Sequence, residues 1–328
     1  MSHANIAIFV PHLGCPHQCT FCNQKHITGC AEQPSPQSVY AAVQTALESG
    51  QSPKSCEIAF FGGSFTAIDR EYMLELLSAA SDCVERYGFK GIRISTRPDC
   101  IDEEVLALLK EYRVTAIELG AQSMDDEVLA FNERGHTSDD VRNASELIKK
   151  FGYELGLQMM TGLYKSSYNT DCYTAEELIK LAPQTVRIYP TITLKNTALE
   201  ALYLSGDYVP DDIESSAKLC SELLSAFETS NIKVIRLGLH SIDVSSYVAG
   251  PWHPAFRELC DSYRFRSTIE RQVRPYNRYS ISVNPADLSK VIGQKKSNIL
   301  YFSDRNVTLN IIQDKAVSKG TVLVEEVK

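Results

Sequence analysis

The sequence predicts an α/β protein, built as a partial (βα)6 barrel followed by a small α+β module at the C-terminal end. Short apolar runs rich in β-branched residues alternate with longer segments of helical periodicity over the first two-thirds of the chain. Such alternation is typical of βαβ units and therefore of a parallel sheet. Polar residues and glycines follow the runs, where the chemistry of a curled parallel sheet lies. After residue 190 the alternation ends.

Each element of this architecture has its own sequence signal. The six barrel strands are predicted at 5–10, 57–61, 91–95, 114–119, 154–160 and 185–189. The helices between them are predicted at 37–48, 69–87, 102–112, 125–131, 138–151 and 174–181. Later elements are predicted as a helix near 213–227, strands at 233–239 and 279–283, a helix at 285–292, and strands at 307–312 and 321–327. The chain therefore divides into a barrel (1–210), a connecting extension (211–275) and a small module (276–328).

Composition narrows the class of protein. A chain of 328 residues with 44% hydrophobic residues can bury one large core and a smaller one. No apolar run reaches the roughly 18–20 residues of a membrane span, and no targeting peptide is evident, so we expect no membrane association. Scattered cysteines in such a chain are typical of a reducing compartment, and we expect a cytoplasmic protein.

One segment differs strongly in charge from the rest. Residues 257–296 carry nine basic and four acidic side chains, whereas the whole chain has a net charge of −8. Four aromatic residues, Tyr263, Phe265, Tyr276 and Tyr279, are interleaved with the basic ones. Basic and aromatic side chains together suit a phosphate backbone and unstacked bases, so the segment is a candidate site for RNA or tRNA. An ordinary solvated face explains the composition equally well.

The most informative motif follows the first strand, where Cys15, Cys19 and Cys22 have the spacing Cys-x3-Cys-x2-Cys. Three thiolates can bind three irons of a [4Fe–4S] cluster and leave the fourth iron open for chemistry. The alternative is a structural zinc site completed by a nearby histidine, although the sequence has no second cysteine knuckle. The histidines available for it are His12, His17 and His26. A disulfide framework is disfavoured in a long chain without a secretory segment.

The cysteine spacing, with Phe21 just before the last cysteine, resembles the signature of the radical S-adenosylmethionine (SAM) enzymes. Six further motifs resemble those of the radical SAM half of the catalytic subunit of Elongator and follow in the same order. Elongator modifies wobble uridines of tRNA. These motifs are 60–65, 95–99, 118–123, 134–137, 159–163 and 187–191. The resemblance implies a [4Fe–4S] cluster that, once reduced, splits SAM into a 5′-deoxyadenosyl radical able to abstract hydrogen from a substrate. It also implies an RNA substrate such as tRNA and an electron donor of the flavodoxin or ferredoxin type.

The same resemblance implies roles for residues near the first two strands. Cys15, Cys19 and Cys22 would ligate the cluster, and Phe21 would pack beside the adenine of SAM. Gly62 and Gly63 would let the backbone of the second strand approach the methionine amino group, because side chains there would block it.

Residues on the later strands would complete the SAM site. Ser95 and Arg97 would lie near the ribose or the carboxylate, and Gln122 and Arg134 would hold the carboxylate and the ribose hydroxyls. The remaining candidates are Gln158, where related porphyrinogen dehydrogenases have a ribose-binding aspartate, and Tyr189 and Pro190, which would border the adenine. No catalytic side chain is assigned, since the cofactor performs the difficult step.

Two segments depart from family patterns at a position where glycine is usual. The Gly-Leu-Pro-Gly turn after the fifth strand reads Gly162-Leu163-Tyr164-Lys165. Residues 291–299 resemble the Ile-Gly-x-x-Gly-x-x-Ile loop of KH RNA-binding domains, with Lys296 in place of the second glycine. Nothing past residue 210 resembles the acetyl-CoA loop of the Elongator subunit, so its full chemistry is not implied.

Two other functions stay open from the sequence. One is radical chemistry on a small molecule, as in the porphyrinogen dehydrogenases, which predicts SAM cleavage that tRNA does not affect. The other is a non-catalytic RNA-binding or scaffold protein that holds zinc or an inert cluster, which predicts a protein that never cleaves SAM.

Overall fold

The computed structural model describes residues 4–10, 15, 18–23, 33–239 and 242–327. Its main feature is a parallel sheet of seven strands in the order β1-β2-β3-β4-β5-β6-β8. The strands are Ala4–Val10 (β1), Cys56–Gly62 (β2), Gly91–Thr96 (β3), Val114–Gln122 (β4), Glu154–Thr161 (β5), Thr185–Pro190 (β6) and Lys233–Leu237 (β8). The sheet curls into a half-barrel, which confirms the predicted α/β partial barrel.

Helices cover the outer face of the sheet. Those of the barrel are Pro36–Glu48 (α1), Arg70–Tyr87 (α2), Glu103–Glu111 (α3), Asp126–Phe131 (α4), Ser138–Lys150 (α5) and Tyr168–Lys180 (α6). Further helices are Ala198–Ser205 (α7) and Ile213–Thr229 (α8), and two short strands, Thr193–Leu194 (β7) and Tyr247–Ala249 (β9), pair with each other. Side chains of Asp, Ser or Thr cap the first turn of all six barrel helices, which fixes where each helix begins.

The sheet has one strand more than the sequence predicts for the barrel. Lys233–Leu237, predicted as a strand of the connecting extension, pairs in parallel with β6. The sheet therefore continues past residue 210. The chain between β6 and β8 is a long connection that includes α7 and α8. For this reason the alternation of strands and helices does not predict that β8 belongs to the barrel sheet.

The C-terminal module is a three-stranded sheet of order β11-β10-β12 with two short helices. Its elements are Arg278–Val283 (β10), Leu288–Ile292 (α10), Ser297–Ser303 (α11), Thr308–Gln313 (β11) and Val322–Val327 (β12). A helix that the sequence analysis did not predict, Phe256–Glu270 (α9), joins this module to the barrel.

Helix α9 connects the two hydrophobic cores. Phe256 and Cys260 belong to the core of the half-barrel, whereas Phe265 and Ile269 belong to the core of the small module. The polar and charged residues between these four anchors mask the apolar periodicity, so the sequence indicates the charge of this segment but not its helix. No helix in the described part of the chain is both long and apolar enough to cross a membrane.

Candidate active site

The cysteine motif lies at the carboxyl end of β1, beside the turn that follows β2. The sulfur of Cys15 is 3.5 Å from the hydroxyl oxygen of Ser64, and the amide of Cys22 donates to the carbonyl of Cys19 at 3.0 Å. Cys15 is exposed, Cys22 is half-buried and Cys19 is buried. The histidines of the alternative zinc site, His12, His17 and His26, lie outside the described residues.

Asn132 holds the cysteine motif in place, a role that the sequence analysis did not identify. The buried Asn132 accepts hydrogen bonds from the amide and the hydroxyl of Thr20, at 3.3 and 2.9 Å. Its own amide group donates to the carbonyls of Val128 and Tyr164. From the other side, the amide of Leu199 donates to the carbonyl of Thr20 at 2.8 Å. The motif is thus anchored to α4, α7 and the loop after β5.

Arg134 contacts the central cysteine directly. Its Nη1 lies 3.0 Å from the sulfur of Cys19, and its Nη2 donates to the carbonyl of Gly120 at 2.9 Å. The side chain is only 7% exposed, yet Nε has no hydrogen-bond partner within the described structure. A buried donor without a partner is rare in proteins and indicates a missing acceptor.

Gly62, the last residue of β2, and Gly63 after it lie against the backbone at the end of β1. Gly62 has φ of 117°, and a Cβ there would lie 2.8 Å from the carbonyl oxygen of Val10. The amide of Gly63 donates to that same carbonyl at 2.9 Å. Only glycine accommodates both the φ angle and this close approach of two backbones.

Arg97 directly follows β3, at the same edge of the sheet as the glycine pair. Its guanidinium makes two parallel hydrogen bonds to Asp99, at 2.9 and 2.8 Å, while Nη1 is buried without a partner in the described structure. His136 lies nearby, and its Nε2 is 3.1 Å from the carbonyl of Ala121. Burial and the positive charge of Arg134 lower the pKa of His136 to about 4, so this imidazole is neutral near pH 7.

A β-bulge at the end of β4 positions Gln122. The register with β5 shifts between Gly120 and Gln122, and Gln122 has φ of 65°, which is uncommon for a residue with a side chain. The amide group of Gln158 donates to the side-chain oxygen of Gln122 at 3.2 Å. The structure therefore brings together the two predicted glutamines from adjacent strands.

The interior of the half-barrel is lined by an ion-pair network that the sequence analysis did not predict. Glu118 on β4 pairs with Arg187 at 2.7 and 3.0 Å and with Arg93 at 3.3 Å. The hydroxyl of Ser95 is 3.5 Å from Glu118, and Arg187 reaches the hydroxyl of Tyr189 at 3.4 Å. Ser95 and Tyr189 are thus connected through this network and not directly to the cysteine motif.

The remaining predicted residues have less distinctive surroundings. Phe21 is half-buried next to Cys22, and Pro190 is buried at the end of β6. In the loop after β5, Lys165 has φ of 65°, so it adopts the left-handed conformation that suits the glycine usual at this position.

These residues fit a [4Fe–4S] cluster and a charged ligand. A cluster binds each thiolate through a different iron, and the three cysteines of the motif lie within eight residues of one another after β1. The orphaned donors of Arg97 and Arg134 provide hydrogen bonds for an anionic group next to Cys19.

The basic–aromatic segment is not one continuous surface. Arg257, Arg264, Arg266 and Lys290 form ion pairs with carboxylates, and Phe265 and Tyr279 are buried in the module core. Its exposed basic residues without an ion-pair partner in the described part are Arg271, Arg274, Arg278, Lys295 and Lys296. They form two groups near opposite ends of α9, with Tyr276, which is 84% exposed, in the first group.

Comparison with known proteins agrees with the geometry. The family model of the radical SAM superfamily matches residues 9–177, and that of a radical SAM C-terminal domain matches residues 183–265. An uncharacterized protein of Methanocaldococcus jannaschii is 28% identical over 254 residues, which cover 74% of this chain and 77% of that protein.

Other relatives are longer than this chain. A tRNA uridine(34) acetyltransferase of Dehalococcoides mccartyi is 25% identical, covering 62% of this chain and 52% of that protein. Human Elongator complex protein 3 is 25% identical, covering 71% and 49%. The chain thus spans about half the length of these two relatives.

Solved structures show the same fold. The archaeal Elp3 of Methanocaldococcus infernus with an N-terminal deletion has a TM-score of 0.66 at 21% identity, covering 83% of this chain and 63% of that one. SuiB of Streptococcus suis bound to SAM has a TM-score of 0.51 at 13% identity, covering 73% and 48%. Given the half-barrel, the cysteine motif at its mouth and a family match over more than half of the chain, the protein belongs to the radical SAM superfamily, whose cofactors are a [4Fe–4S] cluster and SAM.

Proposed function

We propose that this protein reductively cleaves SAM and abstracts a hydrogen atom from a substrate that lies in the half-barrel. The observation that carries the proposal is the contact between Arg134 and Cys19. Nε of Arg134 and Nη1 of Arg97 are buried and have no hydrogen-bond partner among the described residues. When bound, the reduced cluster supplies one electron that breaks the C5′–S bond of SAM, giving methionine and a 5′-deoxyadenosyl radical that takes hydrogen from the substrate.

The chain's own residues bind and orient these groups. Cys15, Cys19 and Cys22 would ligate three irons, and the Gly62–Gly63 backbone leaves room for the methionine amino group beside them. Burial of Cys19 and of the Arg134 guanidinium excludes water from this side of the site.

The polar residues on the strand ends complete the SAM site. Arg97 and Arg134 would donate to the carboxylate or the ribose of SAM through nitrogens that have no partner among the described residues. Gln122 and Gln158, linked by their own hydrogen bond, are placed to bind the hydroxyls of the ribose.

This part of the proposal is tested by anaerobic reconstitution with iron and sulfide, followed by an absorbance scan. Dithionite and SAM are then added, and 5′-deoxyadenosine is measured. We expect a brown protein that makes 5′-deoxyadenosine, and loss of both properties in Cys19→Ala. Cys172→Ala is the matched control, because Cys172 is a half-buried cysteine on α6 that no proposed ligand set includes. A colourless, zinc-loaded wild type without product would contradict the proposal.

We further propose that the substrate is tRNA. Two of the relatives described above are named for tRNA uridine modification or for Elongator, and the unpaired basic residues of the C-terminal module support the proposal. The alternative substrate class, a small molecule, predicts no effect of tRNA on turnover.

The loop between α10 and α11 is the best-organised of these basic features. Asn298 is buried, and its amide donates to the backbone carbonyls of Ser262, Lys290 and Val291, so the loop is fixed against α9. Gly293 has φ of 77°, and a Cβ there would lie 2.4 Å from the hydroxyl of Ser297.

The backbone conformation of this loop supports the proposed likeness to a KH loop. Lys295 and Lys296 have φ of 51° and 63°, so Lys296 adopts the left-handed conformation expected of the glycine that it replaces. Both lysine side chains are exposed beside a groove of about 340 Å³ that α9 and the loop enclose. Two ammonium groups on a rigid loop are suited to bind adjacent phosphates.

A tRNA transcript labelled with a fluorophore tests this proposal by anisotropy over a range of salt concentrations. Lys295→Gln combined with Lys296→Gln should weaken binding and reduce the salt slope by about two, since each phosphate contact contributes roughly one. Lys315→Gln combined with Lys319→Gln is the control, because these lysines are exposed elsewhere in the module. Unchanged tRNA binding in the loop variant would exclude the loop as the binding site. If wild type does not bind tRNA, tRNA is excluded as the substrate.

A further inference from the structure

Arg236 lies on the edge strand β8 and faces the interior of the half-barrel. Its direct register partner on β6 is Arg187, and register partners on parallel strands point to the same face of a sheet. Arg187 faces the interior, because its guanidinium pairs with Glu118 on β4 and lies 4.8 Å from the ring centre of Phe61 on β2. The interior position of Arg236 therefore follows from the register.

Among the described residues, the charges of the interior ion-pair network balance without Arg236. The network contains the carboxylates of Glu57, Glu118 and Glu154 and, opposite them, three basic groups. These basic groups are Lys90, Arg93 and Arg187. Each carboxylate is engaged by at least one of the three cations, at 2.6–3.3 Å. Arg236 is thus a surplus positive charge.

The guanidinium of Arg236 has one hydrogen bond within the described structure, from Nε to the carbonyl of Gly238 at 3.0 Å. Its terminal nitrogens have no partner there and, unlike Nη1 of Arg97 and Nε of Arg134, are not enclosed. Burial, together with the neighbouring Arg187, lowers the pKa of Arg236. A half-buried cation without a counter-ion is costly, and an anion that enters the interior would remove that cost.

We propose that Arg236 anchors an anionic oxygen group of the substrate, either a phosphate or a carboxylate. This inference rests on the proposed function, because it assumes that the substrate lies in the half-barrel. The cysteine motif follows β1 at one edge of the sheet and Arg236 lies on β8 at the other edge. An anion held by the planar fork of Arg236 would fix the far end of a substrate whose reacting atom faces the cysteines.

The test measures anion binding and needs no turnover. The cluster-loaded protein is labelled with phenylglyoxal, an arginine-specific reagent, and the modification of each arginine is quantified by mass spectrometry with rising inorganic phosphate or acetate. We expect saturable protection of Arg236 by at least one anion, by about tenfold at saturation. Arg113, an exposed arginine outside the basic–aromatic segment that pairs with Glu85, is the internal reference and should keep its rate.

The outcomes separate the two sources of the anion. Stronger protection by phosphate supports a phosphate-bearing substrate, and stronger protection by acetate supports a carboxylate-bearing one. Equal slowing of Arg236 and Arg113 would be a general salt effect and would overturn the proposal, as would no protection by either anion. Titration of phosphate and acetate by calorimetry into wild type, Arg236→Gln and Arg113→Gln provides an independent reading, in which only Arg236→Gln should lose one anion site. Failure of SAM cleavage would not alter either measurement.

Discussion

Arg134 donates a hydrogen bond from Nη1 to the sulfur of Cys19 across 3.0 Å, although 115 residues separate them in the sequence. The contact joins the loop after α4 to the middle cysteine of the motif. It places a positive charge against the one cysteine of the three that is buried. Arg134 thereby connects the loop after β1 to the carboxyl end of β4.

Loss of this contact should make the cluster easier to remove. In Arg134→Gln, the charge-assisted hydrogen bond to the Cys19 sulfur is lost, a contribution of about 1.5–3 kcal/mol. We expect iron to be released to a chelator about ten times faster than in wild type, followed by the decay of the cluster absorbance. Arg113→Gln, which removes a surface arginine paired with Glu85, is the control and should match wild type. An unchanged release rate in Arg134→Gln would mean that the contact does not hold the cluster.

Gly62→Ala should disturb both stability and the SAM site. The substituted residue would have φ of 117° and a Cβ at 2.8 Å from the Val10 carbonyl, and the φ angle by itself costs about 1–3 kcal/mol. Gly50→Ala separates the two effects, because Gly50 has φ of 77° with nothing within 4 Å of a Cβ. Urea unfolding should show a larger loss for Gly62→Ala, and equal losses would argue against the backbone contact.

Glu118→Gln should be strongly destabilising. The substitution leaves Arg93 and Arg187 with less compensating charge inside the half-barrel, and breaking a buried ion pair costs about 3–5 kcal/mol. Glu104→Gln, which removes an exposed partner of Arg70, should cost less than about 1 kcal/mol. Equilibrium unfolding in urea measures both. A loss for Glu118→Gln as small as that for Glu104→Gln would show that the network contributes little.

His136 should make the protein less stable as the pH falls. Its pKa is about 4 in the folded protein and about 6.5 in the unfolded chain, so between these values the unfolded chain binds a proton that the folded protein does not. This contribution is fully present above pH 6.5 and is lost progressively toward pH 4, by roughly 3 kcal/mol. In His136→Gln the corresponding part of the pH dependence of unfolding should disappear. An identical pH profile would contradict the buried neutral imidazole.

Asp171, in contrast, should make the protein less stable as the pH rises. Burial raises its pKa to about 7, and the nearby charge of Asp211 contributes to the shift, so the folded protein holds a proton that the unfolded chain has released. Stability from this group is present below pH 4 and is lost as the pH rises to 7. Asp171→Asn should therefore be more stable than wild type at pH 8 and similar to it at pH 4. The oxygen of an asparagine can still accept the hydrogen bond from the amide of Gly162. No stabilisation at pH 8 would contradict the raised pKa.

Local signals predicted much of the fold. The six barrel strands and most helices lie where alternation of apolar runs and helical periodicity predicts them, because each strand is buried on its outer face and each helix on its inner face. Helix α6 begins six residues before its predicted start, since Ser167 and Thr170 form a capping box that the apolar pattern does not reveal.

Two lysines illustrate how tertiary context overrides residue preference. Lys165 and Lys296 replace glycines of the patterns that this chain resembles, yet both adopt left-handed φ angles of 65° and 63°. The surrounding structure thus holds the turn in its shape despite the cost to a residue with a Cβ.

Residue type and local spacing are enough to predict the cysteine motif, the glycine pair and the order of the strand-end motifs. Which of those residues meet depends on tertiary contacts that local spacing does not reveal. The fold places Arg134 against Cys19, gives the sheet its seventh strand, pairs four of the nine basic residues of segment 257–296 with carboxylates and leaves Arg236 without a counter-ion among the described residues. Contacts of this kind join residues tens to more than one hundred positions apart, and only the register and curvature of the sheet bring them together.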